Sequence, residues 1–255
     1  MKKTTQYFSL FVFFMLYACS GSREKKEELK YESEPLDSLV NERKEISFYY
    51  FDEQKDYPDA IIEMYSPLNL ENFKPGKVPF EFNIKNYPFG EGLSGFQLKV
   101  ILNSGDPIGY NSPIFQRELK EGTYRMVAYL VDGEGLALKE FGNYVDRDFL
   151  VGESRPFPYS AEPYLALNLP VNGQTYSEGE EITIDFLVIG GDMLLDNLKV
   201  KVSIGEYTYE INEVYPIRIS DLPKGEYNLQ LQLLKKNNTE LDGPFSSVQK
   251  AIKVN

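Results

Sequence analysis

Apolar and polar residues alternate with a period of two along most of the chain, the pattern of half-buried β-strands rather than of amphipathic helices. One such stretch occurs twice. Positions 113–130 carry Pro113, Ile114, Leu119, Gly122, Tyr124, Met126, Ala128 and Leu130, and positions 216–233 carry Pro216, Ile217, Leu222, Gly225, Tyr227, Leu229, Leu231 and Leu233, at a constant offset of 103. Each copy describes a strand, a tight glycine corner and a second half-buried strand.

The repeat continues on both sides at the same offset. Ile62, Met64, Pro67 and Asn69 correspond to Leu165, Leu167, Pro170 and Asn172, while Val145, Phe149 and Val151 correspond to Val248, Ile252 and Val254. Between them Val78, Phe80, Phe82 and Ile84 mirror Ile182, Ile184, Phe186 and Val188 with a one-residue slip. Phe96, Leu98, Val100 and Leu102 likewise mirror Leu198, Val200, Val202 and Ile204. A slip that falls in a loop leaves the inward face of each strand intact.

The pattern predicts strands over 61–66, 77–84, 95–103, 113–118, 122–131 and 144–151 in the first copy. In the second it predicts 163–169, 180–189, 198–204, 206–211, 214–220, 225–235 and 246–254. Turn residues punctuate them, as at Pro75-Gly76, Asp132-Gly133, Asn172-Gly173 and Asp242-Gly243. The expected fold is all-β: two tandem β-sandwich domains with Greek-key connections, over 46–155 and 156–255. A leading strand at Ile46–Phe51 has no equally strong counterpart. It is expected to add an edge to the first domain or to pack between the two. The linker over 152–162 is short and stiffened by Pro156 and Pro158, which limits the interdomain angle.

Leu119-Lys120-Glu121-Gly122-Thr123-Tyr124 and Leu222-Pro223-Lys224-Gly225-Glu226-Tyr227 resemble the tyrosine corner of immunoglobulin-like and fibronectin type III domains. The resemblance implies a ring that fills the sandwich end and a hydroxyl that satisfies a loop backbone group. With no Trp and a single Cys, the antibody-type core is excluded and the broader superfamily is what the resemblance implies.

The N-terminus has a different character. Lys2 and Lys3 precede an apolar run from Tyr7 to Ala18, too short to cross a bilayer and typical of an export signal. Leu16-Tyr17-Ala18-Cys19 resembles the lipobox of bacterial lipoproteins. That resemblance implies a signal peptide over 1–18, lipid attachment at Cys19 and, through Ser20, passage to the outer membrane. Several acyl chains at about 0.8 kcal/mol per buried CH₂ would hold such an anchor stably. The charged segment 19–45 is expected to be a hydrated tether, or to form a short helix over 23–31. Extended at about 3.3 Å per residue, it would reach roughly 80 Å. Asp37-Ser38-Leu39 resembles an acceptor for envelope O-glycosylation, though a solvated linker explains it as well.

Composition removes several chemistries. There is no His, so Ser–His, Cys–His and His-ligated metal mechanisms are excluded. The lone Cys cannot form an intramolecular disulfide or a Cys-based zinc site. A formal charge of −12, or −14 once residues 1–18 are removed, opposes nucleic-acid binding.

What remains are carboxylates and rings. Asp146 and Asp148 lie two apart on one strand face; paired acids can hydrolyse glycosides, but the simpler reading is a solvated strand edge. Asp132-Gly133-Glu134-Gly135 offers oxygens to Ca²⁺ or forms a hairpin turn. Gly190-Gly191-Asp192 precedes no helix and is not a phosphate loop. The aromatics Phe48-Tyr49-Tyr50-Phe51 and Phe157, Tyr159 and Tyr164 exceed what one strand face can bury, which suits interdomain packing or ligand contact.

The sequence therefore assigns no catalytic residue, metal ligand or cofactor. It leads to the expectation of a lipid-anchored envelope protein acting as a non-catalytic binding, adhesion or scaffold module, with an envelope protein or glycan as partner. The alternatives are a carboxylate-dependent glycan-active enzyme or accessory carbohydrate-binding protein, and a Ca²⁺-stiffened stalk.

Overall fold

The computed structural model describes residues 45–51, 57–90 and 97–255. The signal segment, Cys19, the tether and Phe96 lie outside the described residues. A leading strand, β1 (Ser47–Tyr50), is followed by the first module: β2 (Ile61–Ser66), β3 (Asn72–Phe73), β4 (Gly76–Lys85), β5 (Leu98–Leu102), β6 (Ile108–Tyr110), β7 (Ile114–Leu119), β8 (Gly122–Leu130) and β9 (Tyr144–Val151). The second module holds β10 (Tyr164–Leu169), β11 (Gln174–Tyr176), β12 (Ile182–Ile189), β13 (Leu198–Ile204), β14 (Tyr207–Ile211), β15 (Ile217–Ser220), β16 (Gly225–Lys235) and β17 (Ser247–Val254). Among the described residues there is no α-helix.

Both modules have one topology. A sheet β2-β4-β7 faces a sheet β3-β9-β8-β5-β6 in the first, and β10-β12-β15 faces β11-β17-β16-β13-β14 in the second. Alternate side chains point between the sheets and make separate cores. Val78, Phe80, Leu98, Met126 and Phe149 fill one, and Ile182, Ile184, Val202, Leu231 and Ile252 fill the other. Strands β3, β6 and β11 are too short to leave a periodic trace in the sequence; β3 and β11 pair parallel to the last strand of their module. The Ser66–Pro67 and Leu169–Pro170 peptides, at equivalent places, are both cis.

The corners form as the resemblance implied. Tyr124 donates its hydroxyl proton to Lys120 O at 2.8 Å, and Tyr227 donates to Pro223 O at 2.7 Å. Each ring lies over a glycine two residues earlier; a Cβ on Gly225 would stand 3.3 Å from the Tyr227 ring.

Two expectations are corrected. The strand at residues 46–51 neither joins the first domain nor packs between the modules. It extends the second module's sheet, with Ser47 opposite Ser220 and Tyr50 opposite Ile217. Ile46 and Phe48 pack on the second core, Phe48 stacks on Tyr209 at 5.0 Å, and the Arg218 guanidinium carbon lies 3.8 Å from the Phe51 ring centre. The second correction concerns register. Phe80 pairs with Phe115 and Val78 with Arg117, while Ile184 pairs with Ile217 and Ile182 with Ile219. The structural counterpart of Ile217 is therefore Phe115, and Ile114, which the repeat equates with it, faces outward. Asp221, at φ 56, takes up the extra residue before Leu222, so the offset of 103 returns at the corner.

The modules do not hang freely from their linker. Ile101, Val127, Tyr129, Val131 and Ala137 of the first pack against Tyr164, Ala166, Leu187 and Ile189 of the second. Arg43–Asn255 form one compact unit.

Candidate functional site

The residues singled out for chemistry converge on this junction. Asp148 accepts a two-pronged bond from Arg125, with Nε to Oδ1 at 2.8 Å and Nη2 to Oδ2 at 2.7 Å. Asp146 Oδ2 accepts the Tyr164 hydroxyl at 3.0 Å. The guanidinium carbon of Arg125 lies 4.8 Å from the centre of the Tyr164 ring and 5.6 Å from those of Phe157 and Phe245. Such cation–π contacts strengthen as water is excluded. The two carboxylates are thus partly buried fasteners of the junction, which corrects the reading of a solvated strand edge.

Asp132 closes a turn, its Oδ1 accepting the amides of Glu134 at 2.8 Å and Leu136 at 2.9 Å. Burial raises its carboxyl above the usual carboxylate range, against the lowering effect of those amides. Gly135 O, at the end of this turn, takes Lys99 Nζ at 3.1 Å and Asn168 Nδ2 at 2.8 Å. No group of three or more ligating side chains able to hold a metal occurs among the described residues.

Asp185 is the centre of a buried network that the sequence reading passed over. It is wholly shielded from solvent. Its Oδ2 accepts Asn168 Nδ2 at 2.6 Å and the Ala137 amide at 2.8 Å, and Lys139 Nζ stands 2.7 Å from Oδ1. Asn168 Oδ1 in turn accepts Lys99 Nζ at 2.8 Å and the Tyr129 hydroxyl at 2.9 Å. Burial lowers the Lys99 ammonium pKa and raises that of the Tyr129 phenol. Side chains of both modules meet here: Asp185 Oδ2 is hydrogen-bonded twice, whereas Oδ1 has the ionic contact with Lys139 and no hydrogen bond, and a buried charge of this kind needs its partner. A signal was present: Asp185 is a lone acid in the otherwise apolar run Ile184 to Ile189. The unbroken apolar runs Met126–Val131 and Phe186–Ile189 mark strands buried on both faces.

On the surface over this junction lies a cleft of about 340 Å³, lined by Leu138, Lys139, Glu140 and Asn143 of the first module and by Asp192–Leu194 and Asn212–Tyr215 of the second. Its walls are fixed. Asn143 donates to Ala60 O at 2.7 Å and accepts the Glu140 amide at 2.9 Å. Asp192 Oδ1 accepts the amides of Leu194 and Leu195 at 2.8 and 2.7 Å, so Gly190-Gly191-Asp192 shapes a turn that pushes two leucines outward. Tyr50 of β1 accepts the Asn212 amide at 3.1 Å and steadies the far wall. Leu194 is 72% exposed and Tyr215 39%, and Leu195 and Phe141 stand in solvent nearby. Of the predicted aromatics, Phe48 to Phe51 serve β1, Phe157 and Tyr164 serve the junction, and Tyr159 is exposed. Tyr49 donates its hydroxyl to Glu181.

No family model matches the sequence, and no curated protein matches it. Among solved structures, the fibronectin(III)-like modules of CbhA from Clostridium thermocellum are 12% identical with a TM-score of 0.29, over 76% of this chain and 94% of that one. Three N-terminal domains of the outer capsid protein Hoc of bacteriophage RB49 are 11% identical with a TM-score of 0.22, over 77% and 69%. Scores this low carry no argument, and the tandem β-sandwich fold rests on the strand pairing described above.

Proposed function

We propose that the chain is an exported, lipid-anchored envelope protein that acts as a non-catalytic binding or scaffold module, engaging an envelope protein through the cleft over its module junction. The observation that carries this reading is the cleft itself: walls held by hydrogen bonds from three separate segments, with apolar side chains left in solvent on its rim. Rigid walls lower the ordering cost of association, and exposed apolar groups gathered at one place mark interaction surfaces. The anchor rests on the lipobox-like Leu16-Tyr17-Ala18-Cys19.

Two measurements test the two parts. Crosslinking in intact cells should trap the same envelope protein with the native chain and lose it with Leu194→Asp plus Leu195→Asp; unchanged capture removes the cleft from the reading. Cys19→Ser should move the protein out of the membrane fraction, and unchanged fractionation with lipid refutes the anchor. A glycan partner is the second reading, favoured by the Tyr215 ring beside Asn212 and Glu213 in the same cleft. Binding of purified envelope glycan that Tyr215→Ala abolishes would select it.

A further inference from the structure

We infer that the free edge of β7 is a docking site for an extended strand of another polypeptide, one with apolar residues at alternate positions and an aromatic ring facing Arg117. The chain supplies its own template. In the second module the equivalent edge, β15, is covered by β1. Among the described residues nothing pairs with the outer side of β7.

Superimposing the pairings of the two modules fixes what an added strand would meet. Ile217 and Ile219 correspond to Phe115 and Arg117, since each pair faces the same core positions of the preceding strand. Tyr209, opposite Val202, corresponds to Ile108, opposite Val100. On the second module Phe48 lies opposite Ile219 and stacks on Tyr209, closing the gap between the two sheets. On the first module Tyr110 of β6 stacks on Phe115 of β7 at 3.6 Å, and Ile108, with no ring over it like Phe48, is 42% exposed.

Unpaired backbone along a sheet edge is a ready template for another strand, and proteins ordinarily blunt it with charge, proline or a bulge. Here Ser112 Oγ meets the Ile114 carbonyl at 2.7 Å and its amide at 3.3 Å, so the open part of the edge is Gln116–Glu118, with Arg117 turned to the inner side. Where β15 has Ile219, β7 has Arg117. An incoming ring at the Phe48 position would meet the Arg117 guanidinium, a contact this chain already makes between Arg218 and Phe51. The occupant is therefore a β1-like strand from a partner. This surface is separate from the junction cleft, so the two readings stand or fall independently.

The test uses the full chain and a synthetic peptide with the sequence of residues 45–51, Glu-Ile-Ser-Phe-Tyr-Tyr-Phe. Hydrogen exchange should show slowed amides over residues 114–119 on peptide addition, with β15 unchanged. Ile108→Asp, at an exposed position, should weaken peptide binding about tenfold, the effect of losing one apolar contact. Leu194→Asp should leave it unaltered. Protection confined to β15, showing displacement of β1, would overturn the inference. So would absence of protection at saturating peptide, equal binding of a peptide with Phe48, Tyr50 and Ile46 replaced by Ser, or concentration-dependent self-association that the peptide does not inhibit.

Discussion

Replacing Asp185 with alanine attacks the junction at its most shielded point. The carboxylate is closed off from solvent and receives Asn168 Nδ2, the Ala137 amide and the Lys139 ammonium. Its removal leaves two donors and one cation facing a cavity. Breaking a buried ion pair from one side costs about 3–5 kcal/mol, most of it from the stranded charge. For a body of this size each kcal/mol moves the melting temperature by about 2–4 °C, so a fall of about 6–20 °C is expected. Urea denaturation followed by tyrosine fluorescence gives the free energy directly. Because the stranded charge dominates, Asp185→Ala with Lys139→Met should be less destabilised than the single variant, with a coupling above about 1 kcal/mol. A single-variant loss below about 1 kcal/mol, or no coupling, would show that water reaches the network and that the modules are joined by apolar contact alone.

Other perturbations separate the remaining contributions. Tyr227→Phe deletes only the bond to Pro223 O and should cost about 1 kcal/mol; Tyr227→Ala also loses a partly buried ring and should cost about 2–3 kcal/mol, below the 3–5 of a fully buried one, both read by denaturant midpoint. Asp106 joins the modules through Lys250 Nζ at 2.7 Å and the Asn172 amide at 2.9 Å. Burial pushes its carboxyl up, but Lys250 and that amide outweigh it and hold the pKa below its usual value. A depressed acid stabilises the fold above its unfolded pKa of about 3.9 and loses that contribution as pH falls through the lower folded value; melting curves of Asp106→Asn and the native chain should differ at neutral pH and converge as the solution is acidified past that folded value. Arg125→Lys should loosen the junction more than a charge-conserving change on the surface would, because the fork to Asp148 and the contact with the Tyr164 ring both need a planar guanidinium; faster amide exchange over residues 164–169 is the readout.

Strand positions and the duplicated corner were legible because a period of two and a fixed glycine-to-tyrosine spacing are local properties. Partnership across long distances was not. Ile46, Phe48 and Tyr50 alternate correctly for an edge strand, but nothing in that alternation says whether β7 or β15 receives them. The repeat also misled at one point: Pro113-Ile114 and Pro216-Ile217 align by identity, yet one residue absorbed at Asp221 moves the inward position to Phe115, and a shift of one reverses the faces of a strand. The junction was readable in part, from apolar runs without alternation in β8 and β12, whereas the polar contacts among Lys99, Asn168 and Asp185 depend on which strands face each other. The cleft left no mark in the sequence, since its lining comes from loops of both modules and a turn after β14.

With its N-terminus fixed as proposed, the chain would carry load in an unusual order. Tension drawn from the anchor would reach the four-residue ladder of β1 on β15 first, where Ile46 and Phe48 touch the second core. Shearing that ladder frees slack ahead of any unfolding and withdraws Tyr50 from the Asn212 amide. The strap would then yield like a mechanical fuse, and pulling on the anchored end would release the cleft wall and uncover the side of the second core that Ile46 and Phe48 close, leaving the first sandwich untouched.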